Sequence, residues 1–270
     1  MTSLAQLRKF QSTTITAFHE CYGSPVKPPT ENVWRIGNVT WTGVSLQTLL
    51  DIAQPLPEAQ FVWSEGLDFG EFAGVTADRY QKDLPIAKAL SSEVLLAYEM
   101  NGEPLSKNRG GPVRLIVPGW FGTNSTKWLC RLSLQATRAP GPFTTKFYNE
   151  EDPNESKGVM RPVWKVEPNS MIVSPCSDAQ LTDSLVKVRG WAWSDNGIKL
   201  VQIRVDESQT WVEAEVESRR DFNWQRFSTA VTLPPGTHQL TARATSSSGL
   251  KQPISGRRNH VHTINLEILG

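Results

Sequence analysis

Apolar and polar positions follow two different periods along this chain, and the change of period divides it. In the first part both periods occur. Leu46-Gln47-Thr48-Leu49-Leu50-Asp51-Ile52 places apolar side chains at helical spacing, and Gln81 to Leu90 repeats the pattern less regularly, so both stretches read as helical. Gln60-Phe61-Val62-Trp63 reads as a short strand closed by the turn-rich segment Glu65 to Gly70. Thr14 to Phe18 is β-like, and Val94 to Tyr98 and Val113 to Val117 are apolar runs next to Asn101-Gly102 and Gly110-Gly111-Pro112, the mark of buried strands. Residues 1–165 therefore predict an α+β domain. The charged, Pro-containing stretch 149–157 reads as a loop or linker. From Met171 the pattern shortens to alternating strands, such as Leu185 to Trp191, Leu200 to Val205 and Phe227 to Val231. Asp195-Asn196-Gly197, Pro234-Pro235-Gly236 and Ser247-Ser248-Gly249 separate them. About seven strands of that spacing in residues 166–270 predict an all-β immunoglobulin-like sandwich.

Composition narrows the function classes. The 270 residues are 39% hydrophobic and 20% charged, with ten tryptophans, which is enough to bury two cores. Twenty-eight basic and twenty-seven acidic residues leave a net charge of +1, so no global field gathers nucleic acid or anionic lipid, and any anion site must be local. The start MTSLAQLRKFQ lacks the apolar core of a signal peptide, and no run reaches membrane-span length. An intracellular, cytoplasmic protein without a membrane partner is expected. Three cysteines, Cys21, Cys130 and Cys176, make no disulfide scaffold and show no CxxC spacing.

Two features carry candidate chemistry. Lys107 to Arg114 and Pro118 to Trp128 combine Arg109, Arg114 and Lys127 with glycines at 110, 111, 119 and 122 and hydroxyls at Thr123, Ser125 and Thr126. Such a segment suits a phosphate or polyanionic cofactor, and equally a solvated basic turn. Cys21 follows a β-like stretch and opens the loop Tyr22-Gly23-Ser24-Pro25, a position that presents a thiol to a soft metal or simply packs a small apolar side chain. His260 and His262 alternate on an expected strand and form at most a weak metal pair.

Glu93-Val94-Leu95-Leu96-Ala97-Tyr98-Glu99-Met100-Asn101-Gly102-Glu103-Pro104-Leu105, then Gly111-Pro112-Val113-Arg114-Leu115-Ile116-Val117-Pro118-Gly119 and Lys127-Trp128-Leu129, strongly resembles the sulfite oxidase family. Trp41-Thr42-Gly43-Val44-Ser45-Leu46 and Glu65-Gly66-Leu67-Asp68 fall in the family's order. Gly190-Trp191-Ala192-Trp193-Ser194 and Ile203-Arg204-Val205-Asp206 look like its C-terminal dimerisation domain. The resemblance implies an α+β molybdopterin-binding domain, a molybdenum cofactor and a homodimer through the C-terminal domain. It implies oxygen-atom transfer to a small oxyanion such as sulfite, with electrons passing to an external acceptor and no haem domain in this chain. Cys21 matches the metal-ligating cysteine. Arg114 and Lys127 match the cofactor-anchoring cations, and Arg109 stands where the family usually has a histidine near the pterin. Ser125, Thr126 and Asp68 fall in cofactor-binding stretches, and Tyr148 resembles the tyrosine that points toward substrate oxygen.

The chain also departs from the family. After the cysteine it carries Tyr22-Gly23-Ser24-Pro25-Val26 where the family has Ala-Gly-Asn-Arg-Arg, so that motif's substrate arginine is absent. His260 replaces a second expected arginine, and only about twenty residues precede Cys21, where the family places a longer stretch. A rebuilt anion site is one expectation. A degenerate or truncated homolog that dimerises and holds cofactor without turnover is the other.

Overall fold

The computed structural model describes residues 3–24 and 34–270; Pro25 and Val26 of the expected loop after Cys21 lie outside them. The chain divides between Trp164 and Lys165 into two compact units.

The first unit runs α1 (Leu4–Leu7), β1 (Thr13–Glu20), β2 (Ile36–Ser45), α2 (Leu46–Ala53), β3 (Phe61–Gly66), β4 (Gly70–Phe72), β5 (Val75–Ala77) and β6 (Tyr80–Pro85). It continues with α3 (Ile86–Ala89), β7 (Leu95–Met100), β8 (Glu103–Pro104), β9 (Arg114–Ile116), β10 (Leu129–Gln135), α4 (Pro142–Thr145), β11 (Asn149–Glu151) and β12 (Met160–Pro162). One sheet has the order β1-β2-β7-β8 with β9 beside β7, and a second has the order β10-β3-β6. The β1–β2 ladder is antiparallel from Thr13↔Gly43 to Glu20↔Ile36. Its outer face carries the hydroxyl pairs Thr14–Thr42 and Thr16–Thr40, each at 2.9 Å, while Ile15 and Ala17 turn inward. Val44, Leu46, Leu84, Leu96, Leu115 and Trp120 join α2, α3 and both sheets in one core.

Two expectations need correction. Gln81 to Leu90 is not one helix: β6 pairs with β3 as far as Phe61↔Pro85, and only Ile86–Ala89 is helical. Strand pairing overrides the local spacing because it buries Lys82, Asp83 and Leu84 together. Asp83 accepts two hydrogen bonds from Arg138, at 2.8 and 2.9 Å, and one from the Ala139 N–H at 3.0 Å. The stretch 149–157 is not a plain linker either. Its first residues form β11, paired with β12, and Arg161 donates across that hairpin to Glu150 at 2.6 and 3.0 Å. The charges that made the segment look like a loop hold its strands together.

The second unit holds β13 (Asn169–Ser174), β14 (Ala179–Leu181), β15 (Leu185–Trp193), β16 (Ile198–Val205), β17 (Val212–Val216), β18 (Gln225–Thr232), β19 (Gly236–Ser246) and β20 (His262–Ile268). Their order is β13-β15-β18-β17-β16-β19-β20-β14. Contacts of β13 with β19 and β20, and of β15 with β16 and β19, show that the sheet folds back on itself in two layers. Strict alternation on β15 sends Val186, Val188 and Ala192 inward to Val201, Ile203, Phe227 and Leu240. The two C-terminal histidines do not converge. The His260 Nδ1 lies 2.8 Å from the Arg257 carbonyl, whereas the Ile172 N–H donates to His262 Nδ1 at 3.2 Å.

On the same unit, His238 Nδ1 meets Asp206 at 3.0 Å and its Nε2 meets the Pro234 carbonyl at 2.9 Å. The hydrogen bond that the ring donates to Asp206, then that to the Pro234 carbonyl, holds the imidazole above its ordinary value of 6.5. A raised folded-state pKa stabilises below 6.5, and the contribution is lost as pH rises through the folded value. Asp206→Asn is expected to bring the His238 pKa down, read by NMR titration of the ring; an unchanged pKa would rule out Asp206 as its cause.

Candidate functional site

A cavity of about 640 Å³ opens in the first unit. β1 carries His19 to its wall and the chain just beyond β1 carries Cys21. Arg114 comes from β9, Tyr80 from β6, and Thr123, Ser125 and Lys127 from the connection between β9 and β10. Asp68, after β3, and Tyr148, after α4, complete the part that matters chemically.

The basic segment reaches this place through its own backbone. A 3-10 turn at Lys107–Arg109 closes with the Gly110 N–H donating to the Lys107 carbonyl at 3.0 Å, and Gly110 has φ +90°. Trp128 N–H donates back to the Gly110 carbonyl at 2.9 Å, which draws the two ends of the segment together. Added side-chain carbon at Gly110 would lie 2.6 Å from Lys127 Cβ, and at Gly111 2.1 Å from the Leu105 carbonyl oxygen. These two glycines therefore serve close packing within the protein rather than approach to a ligand. Arg114 is buried. It donates from Nη1 to the Arg109 carbonyl at 2.9 Å and from Nη2 to the Ser125 carbonyl at 3.2 Å, and its guanidinium carbon lies 5.1 Å from the Trp41 ring centre. Burial, then the nearby Arg109 charge, lowers its pKa to about 10, so it stays charged at neutral pH.

Six of the eight residues singled out by sequence meet at the cavity: Cys21, Asp68, Arg114, Ser125, Lys127 and Tyr148. Two do not line it. Arg109 is exposed and contributes its carbonyl to Arg114. Thr126 is fully buried with its hydroxyl 2.8 Å from Ser64. Gly122, Thr123, Ser125 and Lys127 line the cavity while Asn124 and Thr126 are buried in the protein, which separates Ser125 from Thr126.

Three polar cavity residues were not anticipated: His19, Arg35 and Tyr80. His19 stands two residues before Cys21 on a strand, so spacing alone could have put both on one side. Burial, then the Arg114 charge, pushes the His19 pKa down to about 3, leaving the imidazole neutral beside the cations. The Tyr80 hydroxyl donates to the Thr123 carbonyl at 2.6 Å and lies 2.8 Å from its hydroxyl. Burial, with a smaller push from Cys21, raises the Tyr148 pKa and keeps the phenol protonated. Tyr148 also has φ +56°, an uncommon backbone state that its surroundings must enforce.

Arg114 Nε and Asp68 Oδ1 are buried without a hydrogen-bond partner in the protein. A cation and a carboxylate with unused capacity beside a thiol fit a ligand that is anionic at one place and carries N–H donors at another. Among the described residues no three His, Cys, Asp or Glu side chains converge on a metal site. Among the described residues no helix is long and apolar enough to cross a membrane.

Known proteins share this architecture. The family described as "Oxidoreductase molybdopterin binding domain" matches residues 1–143, and "Mo-co oxidoreductase dimerisation domain" matches residues 160–266. The chain belongs to the sulfite oxidase family of molybdopterin-binding oxidoreductases. Mitochondrial sulfite oxidase of Mus musculus is 30% identical over 263 residues, covering 88% of this chain and 47% of its own. Sulfite oxidase of Gallus gallus is 30% identical over 281 residues, covering 94% and 60%. The sulfane dehydrogenase SoxCD of Paracoccus pantotrophus superposes with a TM-score of 0.82 at 27% identity, over 97% of this chain and 70% of that one. The NADPH nitrate reductase of Fusarium oxysporum is also related, at 28% over 78% of this chain. The chain spans about half the length of the mitochondrial sulfite oxidase it matches.

The Gly110 packing can be tested against a neutral control. Gly102 has φ +82° but open space around it, so Gly102→Ala is expected to cost only the left-handed penalty, about 1–2 kcal/mol. Gly110→Ala adds overpacking against Lys127 and is expected to cost about 1–3 kcal/mol more by denaturant unfolding. Equal costs would mean that Lys127 does not rest on this glycine.

Proposed function

We propose that this chain is a molybdenum-cofactor oxidoreductase that oxidises sulfite or a closely related small oxyanion. The observation that carries the reading is the meeting of the Cys21 thiol with Arg114, Lys127 and Asp68 at one cavity, two of them with unused buried capacity. Cys21 would ligate the metal as thiolate, a soft donor suited to it. Arg114 and Lys127 would hold the anionic part of the cofactor, and Asp68 would accept from the pterin's N–H edge. Ser125 would order this turn, its hydroxyl accepting from the Val117 N–H at 3.1 Å. Arg109 supports Arg114 through its carbonyl, and Thr126 braces the turn from behind through Ser64. When bound, the cofactor supplies a two-electron couple for oxygen-atom transfer.

The protein's own residues do the placing. Tyr148, protonated and at the cavity wall, is a hydrogen-bond donor toward an oxygen of the substrate. Neutral His19 keeps a further positive charge out of the cofactor's side of the cavity. Sulfite and water give sulfate, two protons and two electrons, and the electrons leave to an external acceptor. Residues 1–165 form the catalytic domain in this reading. Residues 166–270 form an immunoglobulin-like sandwich through which two copies pair, the chain working as a cytoplasmic homodimer.

The absence of an arginine after Cys21 favours a second reading, a homolog that dimerises and binds cofactor without turnover. Cofactor-loaded protein separates the two. Sulfite-dependent reduction of an artificial acceptor, with sulfate formed in step, is expected, and Tyr148→Phe should lower turnover roughly tenfold or more, the worth of one hydrogen bond to an oxyanion. Loaded protein that forms no sulfate would leave the non-catalytic reading.

A further inference from the structure

The family's arginine after the metal-ligating cysteine is missing from this chain, yet the fold puts another guanidinium beside the thiol. The β1–β2 ladder ends at Glu20↔Ile36, and one step further the Cys21 N–H donates to the Arg35 carbonyl at 2.9 Å. Cys21 and Arg35 are thus cross-strand neighbours, and directly opposed residues of an antiparallel pair send their side chains to the same face. The Arg35 N–H donates to the Ser24 hydroxyl at 2.7 Å, and the Ser24 N–H donates to the Cys21 carbonyl at 3.0 Å. The turn after Cys21 is therefore tied to the Arg35 backbone, whatever its side chain does. A side-chain carbon added at Gly23 would lie 3.5 Å from Cys21 Sγ and 3.7 Å from Arg35 Nη1, so thiol and guanidinium flank one point on the cavity wall.

The other two cations of the cavity are those assigned above to the cofactor, and both are held by neighbouring groups. Arg114 spends both terminal nitrogens on the carbonyls of Arg109 and Ser125. Lys127 rests its stem on Gly110 and places Nζ 4.3 Å from the Trp128 ring centre. Arg35 lines the cavity at its Cys21 end, and among the described residues no carboxylate is paired with it. A guanidinium presents two parallel N–H groups, which match two oxygens of a sulfite- or sulfate-like anion better than a point charge does.

We propose that Arg35 is the substrate-anion residue of this chain, a forked donor beside Cys21 that stands in for the arginine its sequence motif lacks. The ligand class is a small divalent oxyanion with two oxygens free to face the fork. This rests on the reading of the cavity as a sulfite-oxidase-type site, and it names which residue takes the substrate.

The test uses the full chain produced in a host that makes the cofactor, as wild type, Arg35→Gln and Arg35→Lys. Molybdenum per chain is measured by elemental mass spectrometry, and sulfate, the product anion, is titrated calorimetrically. Equal molybdenum in all three is expected, with sulfate affinity at least tenfold weaker in Arg35→Gln and partly restored in Arg35→Lys. Sulfite kinetics should change mainly through KM. Sulfate binding as tight in Arg35→Gln as in wild type would overturn the proposal, and so would selective loss of molybdenum in that variant, which would assign Arg35 to the cofactor. Arg35-dependent sulfate binding in protein that holds no molybdenum would uphold the anion site and defeat the oxidoreductase reading instead.

Discussion

The antiparallel pairing of β1 with β2 is the constraint on which the site depends. Its register, closing at Glu20↔Ile36, fixes where the strand ends and therefore where Cys21 leaves it. One ladder step later the same pairing holds Cys21 against Arg35 through a backbone hydrogen bond. β2 pairs on its other edge with β7, and β7 with β9, so Arg114 is reached from Cys21 across a single continuous sheet. A slip of one residue between β1 and β2 would turn His19 and Cys21 to the opposite face and dismantle the cavity. The thiol's position is thus a property of the sheet more than of the loop that follows it.

Against that frame the basic segment is positioned by backbone closure. Gly110 and Trp128 tie its ends, Ser125 receives the Val117 N–H, and Arg114 is clamped by two carbonyls. Its charge is buried and oriented before any ligand arrives, which is what preorganised recognition of an anion requires. Tyr80 and Thr123 form a second fixed group at the cavity, the Tyr80 phenol donating to the Thr123 carbonyl, with Tyr148 also in the lining.

Much of this was legible in the sequence. Alternation revealed the strands β15, β16 and β18, and helical spacing revealed α2. The motif around Arg114 and Lys127, with Cys21 upstream, carried the family, and six of eight anticipated residues do meet. What escaped needed tertiary information. Gln81 to Leu90 has helical spacing, yet pairing with β3 makes its first half a strand. The charged residues 149–151 resembled solvated linker until Arg161 supplied the partner across the hairpin. Arg35 is invisible to any local motif because only the register of two strands brings it to Cys21. Thr126 looked equivalent to Ser125 and is not, since its hydroxyl is taken up inside the protein by Ser64.

The most direct measurement is molybdenum per chain by elemental mass spectrometry, on wild type and Cys21→Ser made side by side in a host that synthesises the cofactor. About one metal per chain in wild type, lost or strongly reduced in the variant, is the result this account predicts. Well-folded wild type with negligible molybdenum, or a Cys21→Ser protein that keeps its full complement, would contradict it.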